Sequence, residues 1–271
     1  MEYQYFPGCS LHGTAREYGR SLQGVVERLG IELTELEGWS CCGATAARSV
    51  SQELHLLLAA RNLALAQGSP APLMVACNLC YSNLAVAAHS LRDEALRRAV
   101  NASLRLTGLN YAGETTPVHA LQVISEVGAG LISAKVVSPL HGLRVASYYG
   151  CLLTRPRTAA IPDSNFNPTW LDTLMAALGA ETVPLSAKTK CCGGPLLMTH
   201  PEAARGAAKR ILDEAKDLGT HCIAVSCPQC HLSLGEQQST IERRYRVRYG
   251  IRIAYFTELI GQAIGIGAIR S

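Results

Sequence analysis

The doublet Cys41-Cys42-Gly43 returns as Cys191-Cys192-Gly193, and this duplication limits what the chain can fold into more than any other feature. Adjacent cysteines do not readily bond to each other, because the disulfide geometry between neighbours is strained. A longer pattern surrounds each doublet. In the first half it reads Cys9, Cys41-Cys42, then Cys77-Asn78-Leu79-Cys80; in the second it reads Cys151, Cys191-Cys192, then Cys227-Pro228-Gln229-Cys230. The spacing from doublet to CxxC is 34 residues in both halves, and that from the lone cysteine to the doublet is 31 and 39. The flanks repeat too. Tyr5-Phe6-Pro7-Gly8-Cys9 parallels Tyr148-Tyr149-Gly150-Cys151, and Leu73-Met74-Val75-Ala76-Cys77 parallels Ile223-Ala224-Val225-Ser226-Cys227. A pattern written twice predicts two similar structural units.

Composition narrows the class. With 271 residues, 48% of them apolar and 17% charged, the chain can bury a substantial core. Met1-Glu2-Tyr3-Gln4-Tyr5 carries no basic segment followed by an apolar one, so a secretory signal is not expected. No window approaches the roughly 18 uninterrupted apolar residues of a membrane span. The tail Ile251–Ile269 comes nearest, but Arg252, Glu258 and Gln262 break it, and it is expected to be a core or interface helix. A net charge of +4 and 6% aromatic residues argue against a nucleic-acid surface. The densest basic patch, Arg243-Arg244 with Arg246 and Arg248, is expected to be a solvated helix end. The expected location is cytoplasmic. Eleven cysteines in a reducing compartment point to metal binding or redox work rather than to disulfides. Only Cys222 falls outside the pattern, in an apolar run that predicts a buried strand thiol.

Hydrophobic periodicity predicts buried strands at Tyr3–Phe6, Ile31–Leu36 and Leu73–Ala76, and strands again at Arg144–Tyr149, Thr182–Leu185 and Cys222–Ser226. Helical spacing covers Ala15–Leu29, Val50–Gln67 and the CxxC through His89, then Trp170–Leu178, Glu202–Leu218 and Leu232–Tyr245. Strands alternating with helices predict an α/β fold of two pseudo-twofold-related Rossmann-like halves with mostly parallel sheets. The expected halves are residues 1–136 and 143–271, joined by a linker at 137–142. The cysteine-rich loops then sit at the C-terminal edges of the strands, where open α/β sheets bind ligands. Helix N-termini at that edge favour thiolates. Gly43 and Gly193-Gly194 are expected to let the backbone pass close to a bound group.

Five cysteines per half exceed by one the four that a structural zinc or a conventional cubane takes. The doublet suits a multi-iron object whose separate irons each take one thiolate; zinc in one or both halves, with a structural role, is the alternative. The sequence lacks a GxGxxG after a strand, so neither flavin nor nicotinamide is expected. Cys227-Pro228-Gln229-Cys230-His231 fits a haem attachment pattern, but Tyr81 replaces the histidine in the first half, and haem is set aside.

The full pattern, together with Tyr149-Gly150-Cys151-Leu152-Leu153-Thr154-Arg155-Pro156, resembles the cysteine-rich CCG-domain family that includes the catalytic subunit of heterodisulfide reductase. The resemblance covers nearly the whole chain, and all ten motif cysteines are present. It implies a non-cubane [4Fe-4S] cluster in each half, bound by Cys9, Cys41, Cys42, Cys77 and Cys80 and by Cys151, Cys191, Cys192, Cys227 and Cys230. It implies a catalytic subunit that reduces or forms a disulfide or sulfur-compound bond. Its electrons would pass through a ferredoxin-like iron–sulfur subunit and a flavin subunit, or involve a lipoate-binding protein. Related halves occur in glycolate, lactate, glycerol-phosphate and succinate oxidoreductases, so a non-catalytic electron-transfer or assembly subunit stays open. His12, three residues after Cys9, and His231, beside Cys230, are candidate proton donors to a departing thiolate, and Arg155 a candidate site for an anionic substrate tail. His55, His89, His119, His200 and His221 have no place in the cysteine motifs and are assigned no role.

Overall fold

The first short apolar run forms β1 (Glu2–Phe6) in the computed structural model, which describes residues 1–266. It leads through α1 (Gly8–His12) and α2 (Arg16–Arg28) to β2 (Glu32–Glu35). Then follow α3 (Ala46–Val50), α4 (Gln52–Ala66), β3 (Leu73–Val75), α5 (Asn78–Ser90) and α6 (Glu94–Leu104). The last pieces before residue 137 are β4 (Pro117–His119), α7 (Ala120–Val127) and α8 (Ala129–Ser133). The second half runs β5 (Arg144–Tyr148), α9 (Trp170–Ala177), β6 (Glu181–Val183), α10 (Pro201–Asp217), β7 (Cys222–Val225), α11 (Pro228–His231), α12 (Gln238–Tyr245), β8 (Arg252–Tyr255) and α13 (Phe256–Ala263).

Each half builds one four-stranded sheet, parallel throughout, in the order β2-β1-β3-β4 and β6-β5-β7-β8. The fold is therefore α/β, with the second sheet repeating the topology of the first. The inner strands β3 and β7 are buried along their whole length, as parallel strands covered on both faces are. Helix α2 buries Tyr18, Leu22, Val25 and Val26, a spacing that puts one apolar stripe on the core. Helix α10 does the same with Ala204, Ala208, Ile211, Leu212 and Ala215. Ser51 caps α4 by accepting from Leu54 N, and Asp93 caps α6 by accepting from Leu96 N, each contributing about 1 kcal/mol.

Several expectations are corrected. The segment Ile31–Leu36 yields an edge strand that is mostly exposed, because β2 has a neighbour on one side only. The strand expected at Thr182–Leu185 is Glu181–Val183. Val50 ends α3 instead of opening the next helix and stands in solvent. The helix expected over Leu232–Tyr245 is broken: a π-helical turn at Leu232–Glu236 separates α11 from α12. The tail is not one helix. Arg252–Tyr255 pairs with β7 as an outer strand, the chain turns into α13, and the remainder to Ile269 lies past Ile266, outside the described residues.

The two halves are clasped along one seam. The Tyr18 hydroxyl donates to Ala76 O at 2.9 Å and to Ser226 O at 3.3 Å, the carbonyls just before each CxxC. The Asn78 side chain accepts from Ser226 Oγ at 3.0 Å and donates to Tyr149 O at 2.8 Å. Helices α2 and α13 pack together, with Ser21 and Thr257 hydroxyls 2.6 Å apart. The Tyr18 and Tyr255 rings stack at 4.3 Å. The connecting segment is tied down as well, Val137 N and Ser138 N both donating to Ala263 O.

Replacing Tyr18 by Phe keeps the ring but strands two buried carbonyls. A loss of about 1–3 kcal/mol is expected, read as a lower urea midpoint at unchanged slope. An unchanged midpoint would show that the clasp contributes nothing.

Candidate functional site

In both sheets the strand order reverses between the first strand and its inner neighbour, β1/β3 and β5/β7. Ligands of doubly wound sheets bind in the crevice outside the strand ends at this switch point. Cys9 follows β1 and Cys77 follows β3, while Cys151 follows β5 and Cys227 follows β7. The doublets enter from the loops after β2 and β6, so each half gathers its five cysteines at one place.

The buried sulfurs touch. Cys42 Sγ lies 3.2 Å from Cys80 Sγ, and Cys192 Sγ lies 3.5 Å from Cys230 Sγ. Cys9, Cys41 and Cys191 are exposed at the rims, and Cys151 is half-buried. A cavity of about 20 Å³ is lined by all five second-half cysteines, together with Asn78 and Gln229. The Oε1 atom of Gln229 is buried there and has no hydrogen-bond partner among the described residues. Backbone amides point at the thiols: Gly193 N donates to Cys191 Sγ at 3.4 Å and Gly194 N to Cys192 Sγ at 3.4 Å.

Crowding sorts the protons. Hydrogen bonds, first from Cys41 and then from Cys80, hold Cys42 down to about 4, while Cys41 is pushed up. The hydrogen bond from Cys151 brings Cys191 down to about 6, and Cys151 rises in exchange. The coupling also crosses the seam. The Cys77 thiol is raised first by Cys227, and Cys227 is held down first by Cys230 and then by Cys77. The Tyr18 hydroxyl ties together the residues just before the two CxxC motifs, and so brings the two nests alongside each other.

The glycines divide their work differently from expectation. Gly8 and Gly150, before the lone cysteines, are the ones that sulfur crowds most closely: a Cβ at either, at φ +71° or +70°, would lie 3.0 Å from Cys80 Sγ or 3.3 Å from Cys230 Sγ, and one at Gly194 would lie 3.4 Å from Cys192 Sγ. At Gly193 a Cβ would instead strike the Ala204 backbone at 2.6 Å, and at Gly43 it would meet Leu58 and Ala47. The doublet glycines chiefly let the loop lie against a neighbouring helix.

His12 is half-exposed, 3.4 Å from Glu35 and edge-on to Trp39. His231 lies flat on Tyr255 at 4.6 Å, extending the Tyr18–Tyr255 stack. Arg155 donates to Thr189 O at 2.7 Å, and its charge reaches both Cys151 and Cys191 behind the larger effect of the bond between those sulfurs. Cys222 is a buried thiol of β7, pushed up to about 12 by burial.

Two histidines assigned no role do stand beside the cysteines. His55 Nδ1 donates to Gly43 O at 3.1 Å, next to Asn83, whose amide donates to Cys42 O at 2.6 Å. His119 ends β4 beside Val75, fully buried and held down to about 4 by desolvation. It faces Tyr81 edge-on, so the first half places Tyr after the CxxC and His at the outer strand end, whereas the second places His231 and Tyr255. Tertiary approach creates these contacts across 12 to 44 residues of sequence, and no local motif announces them.

The donor set, five thiols in each half, is one that a thiophilic metal group would take. Among the described residues no three His, Cys, Asp or Glu side chains close on one point as a metal ion requires. The touching sulfurs would have to part to admit a larger body.

Residues 3–85 and 145–235 match the model of the cysteine-rich CCG domain. The chain is 33% identical to the 8-methylmenaquinol:fumarate reductase membrane anchor subunit of Wolinella succinogenes, over 98% of this chain and 93% of that one. It is 30% identical to a protein of Archaeoglobus profundus that is named for its likeness to the B-type subunit of heterodisulfide reductase, over 98% and 91%. It is 28% identical to the B-type subunit of the ferredoxin:CoB-CoM heterodisulfide reductase of Methanosarcina mazei, over 96% and 88%. A solved structure of a hypothetical protein from Helicobacter pylori superposes with a TM-score of 0.78 over 97% of this chain, which spans about half of that one; at 15% identity it shows the fold alone. Among the described residues no helix is long and apolar enough to cross a membrane.

In iron-free protein, iodoacetamide should modify Cys191 well ahead of Cys41 at pH 7, because only the former is held as thiolate. Its rate should climb through pH 6 and level off above, followed by mass spectrometry. Equal rates at the two rim thiols would contradict the proton distribution.

Proposed function

The chain belongs to the cysteine-rich CCG-domain family, and from that premise we propose that it is the redox subunit of an oxidoreductase complex, working on sulfur compounds at two [4Fe-4S] clusters. Residues 1–136 and 143–271, joined by 137–142, act as the two cluster-bearing halves. Cys9, Cys41, Cys42, Cys77 and Cys80 hold one cluster; Cys151, Cys191, Cys192, Cys227 and Cys230 hold the other, both non-cubane. The observation that carries this is the duplicated set of five cysteines at two matching sheet edges, with the two CxxC loops tied together by the Tyr18 hydroxyl.

When bound, each cluster supplies one of the two electrons that cleaving an S–S bond takes, with two protons completing two thiols. The chain's own residues do the rest. Tyr18 and Asn78 fix the distance between the nests. Arg155, held by Thr189, offers a cation beside Cys151 and Cys191 for an anionic substrate tail. His12, open to solvent near Cys9 and 3.4 Å from Glu35, is the better placed proton donor; His231 is stacked on Tyr255 and serves packing first. Electrons arrive through ferredoxin-like and flavin subunits in a reducing, cytoplasmic setting.

The relative from Wolinella favours a second reading, in which the same two nests exchange electrons with a quinol and the chain relays them within a dehydrogenase-type complex.

Anaerobically purified protein should contain about four irons per half with matching sulfide. Cys42→Ser or Cys192→Ser should each remove about half of both. Thiols that perturb the EPR signal of the remaining cluster support sulfur chemistry; signals unmoved by any thiol or disulfide would overturn it.

A further inference from the structure

Beside the first nest lies a cavity of about 770 Å³, within the range of small-molecule sites and far larger than the space among the thiols. Its walls come from α4, α5 and α6, with Leu57, Val86 and Val100 among the apolar residues, and from Leu152 and Pro156 of the second half. Leu152 follows Cys151 directly, so the cavity borders both nests.

The polar end is formed by His55 and Asn83, the two side chains bonded to the Gly43 and Cys42 carbonyls. Donation through Nδ1 leaves Nε2 of His55 as an acceptor, and donation through Nδ2 leaves Oδ1 of Asn83 as another. Neither has a hydrogen-bond partner among the described residues. Arg48 and Glu53, of opposite charge, are both among the lining residues. An anionic ligand would find one cation cancelled by one carboxylate, whereas a neutral ligand with a hydroxyl to donate and an apolar body matches both ends.

We propose that this cavity is a binding site for a hydroquinone with an apolar substituent, its hydroxyl donated to His55 or Asn83. The proposal deepens the quinol reading above and rests on it. The position ties the site to the thiols: both acceptors belong to side chains bonded to the doublet loop, and Leu152 lines both this cavity and the small space among the second-half cysteines. The ligand is distinguished from an anionic sulfur compound by its neutrality.

The probe is 2-heptyl-4-hydroxyquinoline N-oxide, a stable quinol analogue, titrated by its fluorescence into the cluster-loaded protein. Saturable one-to-one quenching is expected. Val86→Trp, which fills the wall, and Ala99→Trp, at the exposed rim, should each weaken it at least tenfold with iron content unchanged. Absent quenching in iron-replete protein, quenching untouched by both variants, or displacement by oxidised glutathione would overturn the site. Anaerobic menadiol is added to the same samples and the visible spectrum recorded. Bleaching in a protein whose probe binding ignores both variants removes this site but keeps the quinol reading. Probe binding that follows the variants without bleaching supports the site and removes the quinol reading.

Discussion

One tyrosine hydroxyl holds the centre of this molecule. Tyr18 donates to the carbonyls of Ala76 and Ser226, each immediately before a CxxC, and so fixes two loops that belong to different sheets. Asn78 and Ser226 close the same seam with a side-chain hydrogen bond. All these groups are buried, where an unpartnered carbonyl costs about 1–3 kcal/mol, so the arrangement is fixed by what separation would leave unsatisfied. The thiols of Cys77 and Cys227 consequently sense each other.

The rest follows from topology. A parallel sheet whose order reverses between β1 and β3 opens a crevice at its C-terminal edge, and the duplicated sheet opens a second one. Loops after three strands of each sheet bring the lone cysteine, the doublet and the CxxC to the same crevice. Small residues were required where the chain nears sulfur, at Gly8 and Gly150, and where it nears a helix backbone, at Gly193. The halves are alike in ligands and unlike in their surroundings. Tyr81 and His119 exchange places with His231 and Tyr255, and the large cavity flanks the first nest. Two nests with the same thiols thus meet different neighbours.

Most of the scaffold was legible because the ten cysteines carry their own ruler: 34 residues from doublet to CxxC in each half leave room for one helix and one strand. The inner strands showed as continuous apolar runs. The outer strands β4 and β8 did not, since three or four residues bordered directly by helix lack a period of their own. At the tail, Ile253-Ala254-Tyr255-Phe256 passes from strand to helix with no Gly or Pro to mark the change. The π turn after His231 likewise leaves the apolar spacing almost helical. His55, Asn83 and Tyr18 were silent because their importance arises from carbonyls far along the chain, which only folding brings to them.

The central claim is that two compact iron groups face each other across the Tyr18 seam. Anomalous scattering measured on both sides of the iron absorption edge, from crystals grown without oxygen, tests it most directly. The account predicts two separate multi-iron peaks, one enclosed by each set of five cysteines and both adjoining Cys77 and Cys227. A single tetrahedral zinc in each half, or sulfurs joined in disulfides with no iron signal, would contradict it.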